Sequence, residues 1–145
     1  MKLLKIISGG QTGADMGGLL AAKELGIETG GTAASRYLTE KGSNYELFNE
    51  YGLTCFGSYH ERTWENVKDS EATIIFGHTS SPGSKLTIRC CTTQGKPLLI
   101  NPNEKELAEF LQEHQVKILN IAGNRESKSP GIEQSVKEFL VEALS

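Results

Sequence analysis

Three stretches of this chain gather residues that can hold an anion. The first reads Ser8-Gly9-Gly10-Gln11-Thr12-Gly13, with Asp15 two positions on. The second reads His78-Thr79-Ser80-Ser81-Pro82-Gly83-Ser84, and the third runs from Gly123 through Arg125 and Lys128 to Gly131. Glycines allow a sharp turn and a close approach of backbone N–H groups to a ligand, while the start of a following helix presents unpaired amides and the positive end of its dipole. Hydroxyl side chains add neutral donors. An arginine can grip two oxygens of a phosphate at once, and a lysine supplies a mobile point charge. The candidate binding set is therefore Ser8, Gly9, Gly10, Gln11, Thr12, Gly13 and Asp15 from the first stretch, Thr79, Ser81, Gly83 and Ser84 from the second, and Gly123, Arg125 and Lys128 from the third. The chemistry is recognition of a small anionic ligand.

Each member of that set also has a plain structural reading. The first loop is the dinucleotide fingerprint G-x-G-x-x-G with its first glycine replaced by Ser8, a weak signal on its own. A serine and threonine cluster can simply cap a helix. Asp15 falls in the first turn of a helix, where the dipole stabilises a carboxylate, but it can also bind a ribose hydroxyl, a metal-bridged ligand or a water. Gly17 and Gly18 each weaken a helix interior by roughly 1 kcal/mol relative to Ala, which points to close packing of that helix on a sheet. Arg62 and Asn66, four apart, share one helix face; such a pair is a solvated surface unless the face abuts a ligand cleft. In an enzyme, the acids placed to handle protons would be Asp15, Glu40 or Asp69, and the reaction would be hydrolysis of a nucleotide N-glycosidic or phosphate bond. His60, His78 and His114 are scattered and Cys55, Cys90 and Cys91 lack ligand spacing, so no metal site is expected and the cysteines read as small apolar residues.

The elements that must position these loops are short apolar runs, each followed by a helical pattern. The runs are Leu3–Ile7, Ala72–Gly77 and Val116–Gly123. The helices after them close at Gly26, at Gly95 (from Lys85 to Gln94), and at the C-terminus, where Ser129 is the expected N-cap, Pro130 the first position, and Ile132, Val136, Phe139, Leu140 and Ala143 an apolar stripe. Between them lie a short strand Ile27–Thr29, which puts Glu28 near a ribose-binding position, and a break at Gly30-Gly31. There follow a short helix Tyr45–Tyr51, a helix His60–Ser70, a strand Leu98–Asn101 and an amphipathic helix Pro102–His114. Residues 27–57 have no clean period and read as an irregular insertion, either functional or an oligomer contact. Buried strands alternating with helices predict an α/β fold: a three-layer Rossmann-like doubly wound sheet, mainly parallel, of about five strands with helices on both faces, within a single domain spanning 1–145. In that architecture the strand-exit loops share one edge of the sheet, so the three polar loops converge.

Composition narrows the partners. A chain of 145 residues buries roughly 70% of the surface its unfolded form exposes. A net charge of −3 and a pI near 5.7 argue against a nucleic-acid groove. No apolar run approaches a membrane span, and the N-terminal run stops at Ser8 too early for a signal peptide, so a cytoplasmic protein with no membrane partner is expected.

Four motifs carry a family resemblance. They are Ile7-Ser8-Gly9-Gly10-Gln11-Thr12-Gly13-Ala14-Asp15 with Gly17-Gly18-Leu19, Arg62-Thr63-Trp64-Glu65-Asn66-Val67 with Asp69-Ser70, Ser81-Pro82-Gly83-Ser84 with Leu86-Thr87, and Ala122-Gly123-Asn124-Arg125-Glu126-Ser127-Lys128-Ser129-Pro130-Gly131-Ile132. Together they span nearly the whole chain. In them the sequence resembles the molybdenum-carrier family, a group similar to the lysine-decarboxylase-like Rossmann proteins and circularly permuted relative to them. The resemblance implies a Rossmann-like fold, a nucleotide or molybdenum-cofactor type of ligand at the strand exits, and self-association. Two departures stand out. Where the family has a Pro and Gly pair after its Gly-Gly, and an Asp after the acid matching Glu40, this chain has Thr32-Ala33-Ala34-Ser35-Arg36 and Lys41. Related nucleotide-hydrolysing enzymes carry Pro-Gly-Gly-x-Gly-Thr followed by a catalytic Glu, whereas Pro82-Gly83-Ser84-Lys85 has no acid just beyond it.

Overall fold

The computed structural model describes residues 3–145; Met1 and Lys2 lie outside them. In chain order the elements are β1 (Lys5–Ile7), α1 (Ala14–Leu25), β2 (Glu28–Ala33), β3 (Leu38–Thr39), β4 (Gly42–Ser43), α2 (Tyr45–Tyr51), β5 (Leu53–Cys55), α3 (Tyr59–Lys68), β6 (Ala72–Phe76), α4 (Pro82–Gln94), β7 (Leu98–Ile100), α5 (Glu104–Glu113), β8 (Ile118–Gly123) and α6 (Ile132–Leu144). Six strands form one sheet in the order β5-β2-β1-β8-β6-β7, every pairing parallel. β3 and β4 make a separate antiparallel hairpin.

The strands are short and apolar because both faces of the sheet are covered. All five residues of β6, Ala72 to Phe76, are buried. On one face Ile6, Ile74, Leu119 and Ile121 pack with Ala21, Leu107, Phe110, Val136 and Leu140 from α1, α5 and α6. On the other, Val67 of α3 meets Leu86, Cys90 and Cys91 of α4. Met16 and Leu19 of α1 extend the core around Phe48, Tyr51 and Leu53. The cysteines are free, and burial pushes the Cys90 and Cys91 thiols up, as befits small apolar residues in a core. Gly18 lets α1 settle on the sheet, since a Cβ there would stand 2.9 Å from Ile121 Cβ. Gly17 serves a helix contact instead: its Cβ would stand 2.7 Å from the Glu133 carbonyl of α6. Among the described residues no helix is long and apolar enough to cross a membrane.

Several sequence expectations change. Residues 27–57 are not an irregular insertion, because β2 and β5 are strands of the main sheet. β2 runs straight through Gly30 and Gly31, the expected break. Gly31 adopts φ +129°, and any Cβ on it would fall 2.1 Å from the Ser8 carbonyl, so a glycine is what lets β2 lie this close to the end of β1. Glu28 starts β2, at the edge away from the loops, and pairs with Lys5 at 3.2 Å; it is not at a ribose-binding position. α4 begins at Pro82, earlier than Lys85, with Ser81 Oγ accepting from Ser84 N–H. α6 begins at Ile132 with Gly131 as N-cap, so Ser129 and Pro130 precede the helix.

Candidate functional site

The strand order places β8 between β1 and β6, so the three polar loops leave adjacent strands at the centre of the sheet. The loop after β8 is the middle one, and it bonds to both neighbours. On one side Ala14 N–H donates to the Asn124 carbonyl at 3.1 Å and Glu126 N–H donates to Thr12 Oγ1 at 3.3 Å. On the other side the buried Asn124 side chain holds His78 in both directions, accepting from its N–H at 2.8 Å and donating to its carbonyl at 2.9 Å. Gly13, at φ +86°, is required at the first junction, as its Cβ would lie 2.2 Å from the Asn124 carbonyl.

The first loop is less open to a ligand than its glycines suggest. Gly10 N–H donates to Ser8 Oγ, Gln11 N–H to Asp15 Oδ2 and Thr12 N–H to Gln11 Oε1. Ser8 is fully buried, and its hydroxyl also donates to the Asp15 carbonyl. A Cβ on Gly9 would meet Arg62, and one on Gly10 would meet Phe48 and Leu53. These glycines admit protein groups in place of a ligand. Ser84 is likewise buried and donates to the His78 carbonyl at 3.5 Å.

Beneath that loop lies a charge pair that the spacing of Arg62 left undecided. Arg62 Nη1 stands 3.8 Å from Asp15 Oδ2, with only 11% and 8% of the two side chains exposed. The guanidinium is 4.5 Å from the Tyr59 ring centroid. Burial pushes the Asp15 carboxyl above its ordinary value, against the Arg62 guanidinium and the Gln11 and Gly9 N–H groups that pull it down. Asn66, one turn on, clamps the Thr32 backbone, accepting from its N–H at 2.8 Å and donating to its carbonyl at 2.9 Å. Neither residue is a solvated surface group. Both positions fall in the Arg62-to-Val67 motif, the one signal that could have marked them.

The concave surface at this edge is a cleft of about 240 Å³ lined by Tyr59, Ser81, Pro82, Gly83, Gly123, Asn124, Arg125 and Lys128. It brings together Ser81, Gly83, Gly123, Arg125 and Lys128 of the expected set. Ser8, Gly9, Gly10, Gln11, Thr12, Gly13, Asp15, Thr79 and Ser84 do not line it. Tyr59 and Asn124 are lining residues that sequence reasoning did not single out. A larger hollow of about 410 Å³ between the start of α6 and the ends of β6 and β7 is lined by Phe76, Pro102, Ile132, Val136 and Phe139 among others, with no cationic side chain. Its chemistry does not suit an anion.

The acids divide sharply. Asp69 caps the far end of α3 and sits beside Lys5 and Ile118, the first residues of β1 and β8, at the opposite edge of the sheet. It has no access to the cleft. Glu40, on the turn of the β3–β4 hairpin, reaches the loops: its carboxylate accepts from Thr12 Oγ1 and from Ser127 Oγ and N–H. The bonds from Ser127 and Thr12 hold its carboxyl below the usual range. Glu126 reaches back to cap α6, accepting from Gly131 N–H at 2.7 Å and Glu133 N–H at 3.1 Å, while Ser129, the expected cap, donates to Asn124 Oδ1. Those two N–H bonds hold the Glu126 carboxyl down as well. A depressed folded value contributes stability that is present above the unfolded value, about 4.3, and lost as pH falls through the folded one. Glu126→Gln is therefore expected to flatten the loss of melting temperature on acidification below that value; a slope equal to the parent's would contradict the cap. Among the described residues no group of three His, Cys, Asp or Glu side chains is arranged to hold a metal ion.

The family model and one solved structure agree with this architecture. Residues 6–144 match the model of the circularly permutated YpsA SLOG family. A crystal structure of a protein named "Putative molybdenum carrier protein" from Syntrophus aciditrophicus superposes with a TM-score of 0.86 at 34% identity, covering 98% of this chain and 94% of that one. The structure of (E)-4-hydroxy-3-methyl-but-2-enyl diphosphate reductase aligns at 14% identity with a TM-score of 0.42, over 97% of this chain and 59% of that one. Among curated proteins nothing matches. This chain belongs to the circularly permutated YpsA SLOG family.

Proposed function

We propose that this protein binds a small phosphate-bearing ligand, a nucleotide or a pterin-type cofactor, in the cleft between the first turn of α4 and the loop after β8. The observation that carries the reading is the placing of Arg125 and Lys128 opposite Ser81 and Gly83 on one concave surface, with the Tyr59 ring beside them. Cations with hydroxyl and backbone donors suit a phosphate, and Tyr59, whose ring carries the Arg62 guanidinium, bounds the cleft beside them. At about 240 Å³ the cleft is below the roughly 300–1,000 Å³ of sites that enclose a drug-sized ligand, so it takes the phosphate-bearing end and leaves the remainder at its mouth.

The Syntrophus aciditrophicus relative is named for carrying molybdenum, which supports a molybdenum-containing ligand, and a molybdenum-cofactor type is one that brings a phosphate. The lining residues fit such a group through its phosphate, which Arg125 and Lys128 would hold; when bound, the group itself would supply the metal-binding chemistry. Self-association, implied by the family resemblance, belongs to the same proposal, and exposed Leu38, Tyr45 and Phe56 in segment 27–57 support it.

Arg125 is exposed, so its loss leaves the fold intact while removing a charge-assisted contact. Calorimetric titration with AMP is expected to show binding by the parent and an affinity about 10- to 100-fold weaker in Arg125→Ala. Equal affinity in the two proteins would overturn the site.

A further inference from the structure

We propose that Thr12, Ser127 and Arg125 form an oxyanion site in which the Glu40 carboxylate is a built-in stand-in, and that an incoming phosphate-like group displaces it and frees the β3–β4 hairpin. This inference rests on the cleft being the ligand site, since Arg125 belongs to both.

The hairpin tip is fastened in an unusual way. Among the described residues, the hydrogen bonds that join residues 38–43 to the two loops all come from Glu40: its N–H donates to Gln11 Oε1 at 2.8 Å, and its carboxylate takes the donors of Thr12 and Ser127. Packing does not hold the tip. Leu38 is 51% exposed, and Gly42 and Ser43 are exposed. The base is anchored instead, with the Tyr37 ring against Tyr45 and Phe48 at 4.9 and 5.9 Å between centroids. Just there the backbone is strained, Arg36 at φ +62° and Tyr37 at φ +55°, both left-handed in residues with a Cβ. A hairpin fixed at its root and strained at its neck is thus held closed by one carboxylate.

The donors around that carboxylate suit a second kind of occupant. Ser127 N–H donates to Oε1 at 3.1 Å, the Ser127 hydroxyl to Oε2 and the Thr12 hydroxyl to Oε1, and these bonds, with a smaller contribution from the charge of Arg125, hold the acid down. Two hydroxyls and a backbone amide, with the Arg125 cation two residues before Ser127 in the chain, suit one edge of a tetrahedral oxyanion. Two anions cannot share those donors, so an oxyanion that takes them competes with Glu40 directly; the donors adjoin the cleft through Ser127, which lies in the chain between the lining residues Arg125 and Lys128. The ligand class is a tetrahedral oxyanion, whether the phosphate of an ester, free phosphate or molybdate.

The test titrates inorganic phosphate, molybdate and AMP separately into the parent, Glu40→Ala and Glu40→Gln, with a melting curve for each protein. Removing the competing charge is expected to tighten phosphate binding roughly tenfold or more. Adding Ser127→Ala to Glu40→Ala should abolish that gain, and phosphate should speed tryptic cleavage of the parent after Lys41. Molybdate or AMP showing the larger gain would identify the source of the oxyanion. Unchanged or weaker phosphate binding by a folded Glu40→Ala overturns the proposal; if that variant does not fold, no gain in Glu40→Gln overturns it equally. AMP binding that ignores Glu40, with no gain for phosphate or molybdate, leaves the cleft reading standing and removes this one, whereas a parent that binds no AMP defeats the cleft reading even where phosphate binding improves.

Discussion

Arg62→Ala is expected to destabilise the fold by about 3 kcal/mol, a drop in melting temperature of roughly 6–12 °C for a chain of this size. The pair it breaks is not a surface ion pair, whose loss goes almost unnoticed. Both side chains are nearly enclosed, and the guanidinium also covers Gly9 and stacks on Tyr59. Alanine leaves the Asp15 carboxylate buried without its main positive neighbour. The pH dependence gives the cause away. Burial already holds Asp15 above its ordinary value, so the folded chain keeps a proton to higher pH than the unfolded chain does. Such a group favours folding in acid, and that contribution is lost as pH rises through the folded value. Removing Arg62 takes away the largest opposing influence, so the deficit should widen from the acid side toward neutrality. Asp15→Asn introduced with Arg62→Ala should recover part of the loss, a coupling that a double-mutant cycle measures. Equal losses with and without the carboxylate would mean that the arginine acts through packing alone.

Gly13→Ala tests how the loops are joined. Its Cβ would stand 2.2 Å from the Asn124 carbonyl and 2.7 Å from Glu126 N, both backbone atoms that cannot swing aside, and the residue sits at φ +86°. Left-handed strain adds of order 1–3 kcal/mol, and the clash must be relieved by separating the first loop from the third. A loss of about 3 kcal/mol or more is expected, together with weakened AMP binding, because Arg125 follows Asn124 directly. Gly26→Ala is the control. It also has a positive φ, but nothing lies within 4 Å of its Cβ, so it should show strain without the binding defect. Similar affinities in the two variants would mean that the loops do not depend on one another.

The core of the fold was legible in short apolar runs and glycine stops. β1, β6 and β8 announce themselves as buried strands, and each is followed by a polar loop and a helix. Where local signals misled, a distant partner had decided. Gly30-Gly31 has the composition of a break, yet pairing with β1 on one side and β5 on the other makes it strand, since a strand between two neighbours depends on its surroundings more than on its own propensity. Ser129-Pro130 is a good helix start, but Glu126 occupies the α6 end and Asn124 takes Ser129. Arg62 and Asn66 looked like a wet face because spacing along a helix says which residues share a side and not what that side faces.

For the site the division is sharper still. That three polar loops follow buried strands is readable along the chain, because hydrophobic period and turn chemistry are local properties. The position of β8 between β1 and β6, which puts Arg125 at the centre of the edge and Asp69 at the opposite one, comes from strand pairing in three dimensions. The same packing turns the donors of the glycine loop onto its own side chains, while the cleft opens against α4. Thr12 meets Glu40 across 28 residues, and Ser127 meets it across 87. Hydrogen bonds over such separations leave no period in a sequence, and they determine which donors remain free for a ligand.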